Sequence, residues 1–179
     1  MTTIRDEILA SMKMLGEQPD VRFLGYNVRY GGKAGGSLND VPEDKLVEMP
    51  LAENLMIGAA IGFSLDGFVP VVWVERMDFI LCGMDALVNH LNHLGALSDS
   101  LHNPGVIIRI CVGNSRSPLF TGPTHTQNFY EAFLKLVRMP VYLITKAKQV
   151  EAFYRWAIEG ARKGKSTIII EQKDLYNEP

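Results

Sequence analysis

Apolar positions along the chain alternate between a helical and an extended rhythm. Ile4, Ile8, Leu9, Met12 and Leu15 recur at helical spacing and predict a first helix over about 3–16. Val21-Arg22-Phe23-Leu24 reads as a strand closed by Gly25, and the glycine-rich run Gly31-Gly32-Lys33-Ala34-Gly35-Gly36 follows it. A helix over 51–65 stops at Asp66-Gly67, an ordinary C-terminal signal. The apolar run 69–74 is a buried strand, and 79–97 has the length and apolar density of a long buried helix. A strand over 106–112 precedes a Ser-, Pro- and Gly-rich loop over 113–124, and loops of that length usually serve a function. Helices near 127–136 and 149–163, with strands over 141–144 and 167–171, complete the pattern. Five short β-rich runs alternating with helices predict an α/β fold, doubly wound, with a mostly parallel sheet and helices on both faces. It forms one domain over 1–179.

Composition narrows the classes. A net charge of −2 over 179 residues provides no electrostatic drive toward nucleic acid or an anionic membrane. The hydrophobic fraction of 47% and charged fraction of 21% fit a folded globular chain. The N-terminal segment carries Asp6 and Glu7 in an amphipathic pattern, unlike a signal peptide, and no run of about 18 apolar residues exists to span a bilayer. Cys82 and Cys111 lie in apolar surroundings without CxxC spacing, so both are expected as buried free thiols in a reducing, cytoplasmic compartment.

Most chemical motifs fail on context. The run 160–166 has the composition of a phosphate loop, but its spacing is one residue short and it follows a helix. The run 31–36 lacks both G-x-G-x-x-G spacing and a helix directly behind it, which leaves a loop near a ligand as its remaining reading. His90 and His93 share a helical face with Asn89 but have no third metal ligand, so hydrogen-bonded helix histidines are expected. No G-x-S-x-G elbow occurs. Two residues stand out. Glu53 places a carboxylate in the first turn of a helix whose next turns carry Gly58, Ala59, Ala60 and Gly62, small enough for a close neighbour. His125 sits where the long loop meets a helix, beyond an apolar strand; alone it is equally a turn residue or a site residue.

Five segments tie these pieces together: MPLAENLMIGAAIGFSLDG, PVVWVERMDFILCGMDALVNHLNHL, GVIIRICVG, GPTHTQNFYEAF and STIIIEQKDLYNEP. In this order they resemble the pyrimidine-binding (transketolase-like) domain of thiamine diphosphate-dependent enzymes. The nearest likeness is to the beta subunit of the 2-oxoacid dehydrogenase decarboxylating component. The resemblance implies Glu53 as the activating acid at N1′ of the aminopyrimidine, Phe79 as the ring that stacks on it, and His125 as an active-site donor facing substrate. Asp85 and Asn89 match positions that are structural at a subunit interface. Thiamine diphosphate is the implied cofactor. Its Mg²⁺ would be held by a separate diphosphate-binding (alpha-like) subunit, because no Gly-Asp-Gly…Asn-Asn run occurs here.

The resemblance further implies an alpha2beta2-type hetero-oligomer acting on a 2-oxo acid or ketose, and a chain inactive alone. A split transketolase, an acyloin-forming or decarboxylase subunit and a non-catalytic partner-stabilising subunit are the alternatives. Three departures stand against the family pattern. Gly25-Tyr26-Asn27-Val28 replaces an acidic run, and Trp73 replaces a strand acid. The relatives' C-terminal domain has no counterpart.

Overall fold

The first helix starts where Thr3 and Asp6 cap each other: the Asp6 N–H donates to Thr3 Oγ1 at 3.2 Å and the Thr3 N–H to Asp6 Oδ2 at 2.9 Å. In the computed structural model, which describes residues 2–116 and 122–179, this helix (α1) spans Ile4–Gly16. Its stripe of Ile4, Ile8, Met12 and Leu15 is buried. The strands β1 (Val21–Gly25), β2 (Leu46–Glu48), β3 (Val69–Val74), β4 (Ile107–Val112), β5 (Val141–Leu143) and β6 (Thr167–Gln172) form one sheet in the order β2-β1-β3-β4-β6-β5. Every pairing among these described strands is parallel. All residues of β3 and β4 are buried, as a strand covered on both faces requires.

Strand alternation splits the core in two. Val71, Trp73, Ile107, Cys111 and Ile169 face α1 and α5 (Ala147–Ala161). Val72, Val74, Ile108, Ile110 and Ile170 face the other way, onto Met56 and Ile57 of α2 (Glu53–Leu65) and Phe133 of α4 (Tyr130–Leu136). The expected doubly wound α/β arrangement is therefore present. Among the described residues no helix is long and apolar enough to cross a membrane.

Four details depart from the sequence reading. The segment over 79–97 is not one buried helix. It is a 3-10 stretch, Met77–Gly83, then a π-helix, Asp85–Leu91, then α3 (Leu94–Leu97). Its outer side is open, with Leu81 and Leu97 exposed. The wide π turn brings His90 Nε2 to 3.3 Å from Asp85 Oδ2, five residues back. Cys82 is exposed at the end of the 3-10 stretch, whereas Cys111 is buried in β4. Strand β2, too short and too polar to register as a periodic run, is a sixth strand. The helix expected from 127 begins at Tyr130, because the chain at 122–125 forms a separate 3-10 turn. The long loop over 113–124 lies partly outside the described residues.

Candidate active site

Glu53, Phe79 and His125 each follow the C-terminal end of a strand, β2, β3 and β4 in turn, where open α/β sheets bind ligands. Strand β2 delivers the chain to Pro50, and the Ala52 N–H donates to the Pro50 carbonyl at 2.8 Å, turning it into α2. Glu53 is the first residue of that helix and only 6% exposed. Among the described residues its carboxylate receives no hydrogen bond and joins no ion pair. The residue is largely packed away while its carboxylate stays open to a donor, and the helix N-terminus favours its charge.

Gly83 makes this arrangement possible. A Cβ there would lie 2.9 Å from Ile57 Cδ1, 3.1 Å from Glu53 Cβ and 3.2 Å from the Glu53 carbonyl carbon. A side chain there would make Ile57 and the first turn of α2 give way by a few tenths of an ångström. The same stretch carries Phe79, half-buried, whose ring stands edge-on to His125 with centroids 5.1 Å apart and planes at 90°. His125 is held by its backbone as well. Its carbonyl packs against Gly113 at the end of β4, where a Cβ would collide with it. Structure thus pairs Phe79 with His125 directly, and the 3-10 stretch links both to Glu53 through Gly83.

Two participants were not read from the sequence. Asp78, 6% exposed, accepts from Gln127 Nε2 at 2.7 Å through Oδ1, while its Oδ2 has no partner among the described residues. This bond, with the Phe129 N–H to Met77 Sδ contact at 3.1 Å, ties the 3-10 stretch to the segment behind His125. The only sequence signal was the adjacency of Asp78 to Phe79 and of Gln127 to His125. Glu48 is the other. Its carboxylate accepts N–H groups of Asn27 at 2.6 Å, Arg29 at 2.7 Å and Tyr30 at 3.3 Å, pinning the turn after β1 that lacks acids of its own. Asp85 and Asn89, by contrast, bond each other at 2.8 Å on an exposed surface.

The transketolase pyrimidine-binding domain profile matches residues 2–179. The chain belongs to that family. The pyruvate dehydrogenase E1 component beta subunit of Mesostigma viride is 26% identical over 161 residues, 88% of this chain and 47% of that protein. The 2-oxoisovalerate dehydrogenase beta subunit of Pseudomonas aeruginosa is 25% identical over 183 residues, 100% of this chain and 51% of that protein. The chain thus spans about half the length of the curated relatives it matches. Among solved structures, a split-gene transketolase described as an inactive beta4 tetramer superposes with a TM-score of 0.74 at 16% identity. That match covers 99% of this chain and 53% of the other, a likeness of fold.

On the opposite face of the sheet this pyrimidine-binding domain buries a charge cluster. Arg109 donates from Nε to Glu171 Oε1 at 2.5 Å and from Nη2 to Oε2 at 2.9 Å, and the hydroxyls of Tyr154 and Tyr176 donate to the same carboxylate at 2.6 and 2.8 Å. The guanidinium lies 4.4 Å from the centre of the Trp73 ring. Trp73, standing where the resemblance led us to expect an acid, thus serves as a stacking platform for Arg109. Burial alone would weaken the arginine as a base, but the charge of Glu171 outweighs it and holds the guanidinium protonated. Burial, and then Glu171, push the Cys111 thiol up to about 11, so this cysteine is inert as a nucleophile.

Proposed function

We propose that this chain supplies the pyrimidine-binding half of a thiamine diphosphate-dependent site acting on a 2-oxo acid, completed by a separate diphosphate-binding subunit in a hetero-oligomer. The single observation that carries the reading is Glu53, a residue only 6% exposed at a helix start whose carboxylate has no donor among the described residues. An aminopyrimidine presents what such an acid needs, a ring nitrogen to share a proton with, and Phe79 beyond Gly83 offers an aromatic surface for the same ring. The residues present therefore fit the group. When bound, the cofactor supplies the electron sink for cleavage beside a carbonyl.

Each residue then has a task. Glu53 holds and exchanges a proton at the ring nitrogen, Phe79 positions the ring, and His125 donates to the substrate. The names of the relatives support a 2-oxo acid as substrate, and their beta-subunit status supports a partner subunit. The test is Glu53→Gln in the complex purified with its partner. Turnover of 2-oxo acid should fall by about 10²–10⁴-fold while assembly is unchanged, because the amide keeps the shape and cannot exchange the proton. Undiminished turnover would overturn the catalytic assignment. Calorimetric titration of that complex with thiamine diphosphate and Mg²⁺ checks binding separately.

A further inference from the structure

The glycine-rich run after β1, which contributes nothing to the Glu53 site, walls a cavity of about 300 Å³ on the other face of the sheet. That volume is at the lower end of small-molecule sites. The place follows from topology. Chain leaving β1 turns to β2 on one side, whereas chain leaving β3 goes on to β4 on the other, so the strand order reverses between β1 and β3. A crevice opens beyond the carboxyl ends of strands at such a point. Ala34 and Gly35 of the run line it from one side, with Ala34 held at φ 53 and Gly35 at φ 67. Trp73 lines it from β3, and Ile8 and Leu9 of α1 add an apolar wall.

The charges around it do not cancel. Arg109 is matched by Glu171, but Arg5 and Lys173, which also line the cavity, join no ion pair among the described residues. Glu75, the acid on the lining, already has Arg76 at 3.7 Å. Arg109 has donors to spare. Arg109 uses Nε and one hydrogen on each terminal nitrogen for Glu171 and Ser37, leaving a second hydrogen on Nη1 and on Nη2. Unmatched cations and the spare guanidinium hydrogens beside an apolar wall complement an anion carried on a small organic body.

We propose that this cavity is a second small-molecule site that takes a small anionic ligand, a carboxylate or a phosphate. The anion lies toward Arg5 and Lys173 and the body lies toward Trp73 and Ile8. The proposal is independent of the reading of Glu53. Its test uses the full chain carrying Trp156→Phe, so that Trp73 is the sole indole. Trp156 is 54% exposed, and phenylalanine keeps an aromatic contact with Tyr142 and Phe153.

Inorganic phosphate and acetate are titrated separately at constant ionic strength while Trp73 emission is followed. At least one of them should give a saturable change with a dissociation constant of about 1 mM or below, which also identifies the anion class. Arg5→Gln with Lys173→Gln, the first exposed and the second half-buried, should weaken that constant by about tenfold or more, and Glu75→Gln should tighten it. Absence of saturation with both anions, or equal affinity in the double variant, would overturn the proposal.

Discussion

Replacing Arg109 by Met probes how far the buried cluster under the sheet is a unit. Methionine keeps an unbranched stem against Trp73 while removing every hydrogen bond to Glu171 and Ser37. Glu171, 0% exposed, would be left with only the Tyr154 and Tyr176 hydroxyls as donors. Breaking a buried pair from one side costs about 3–5 kcal/mol, since the remaining charge is dehydrated and uncompensated. For a chain of this size about 2–4 °C of Tm accompanies each kcal/mol, so the midpoint should fall by about 6–20 °C.

Glu171→Leu alone should cost a similar amount, through the orphaned guanidinium. The pair Arg109→Met with Glu171→Leu should cost no more than either single change, apart from about 1–3 kcal/mol for the tyrosine hydroxyls that lose their acceptor. Urea denaturation of all four proteins gives the cycle. A loss below about 1 kcal/mol for Arg109→Met, or strictly additive losses, would refute the claim that the charges depend on one another.

Two further outcomes follow from the same geometry, beside those stated for Glu53 and for the cavity. Gly83→Ala should destabilise by about 1–3 kcal/mol and lower turnover of the assembled enzyme, because the new methyl must displace Ile57 and the first turn of α2; unchanged stability by urea denaturation would count against the close approach. Burial first, and then Glu171, raise the folded-state pKa of Tyr154 and Tyr176 well above 10.0. Their contribution is therefore complete below pH 10.0 and lost as pH rises toward the folded values, so the urea midpoint should fall on the alkaline side of about pH 10, and fall less in Tyr154→Phe. An alkaline limb unchanged by that substitution would sink the assignment.

Periodicity carried the fold a long way. The buried stripes of α1 and α5 and the continuous apolar runs of β3 and β4 are signals of single elements, visible because each buries one face or both against the same sheet. The five family-like segments carried Glu53, Phe79 and His125, since each lies beside a recognisable helix start or strand end. Elements that depend on distant partners were not legible in this way. Strand β2 exists because its short backbone pairs with β1, and the stretch over 77–97 breaks into 3-10 and π turns because it must follow α2 through Gly83 and remain open outside.

The roles of Glu48, Asp78 and Trp73 were hidden for the same reason. Glu48 is 21 residues from Asn27, Asp78 is 49 from Gln127, and Trp73 meets Arg109 only because β3 and β4 pair in register. The amino-acid order by itself determined which segments are helix or strand and which face of each is apolar, because those depend on neighbours a few residues away. Tertiary structure alone decided which polar groups share a dry space and which are left without a partner. Burial and pairing are properties of surfaces brought together from far apart in the chain.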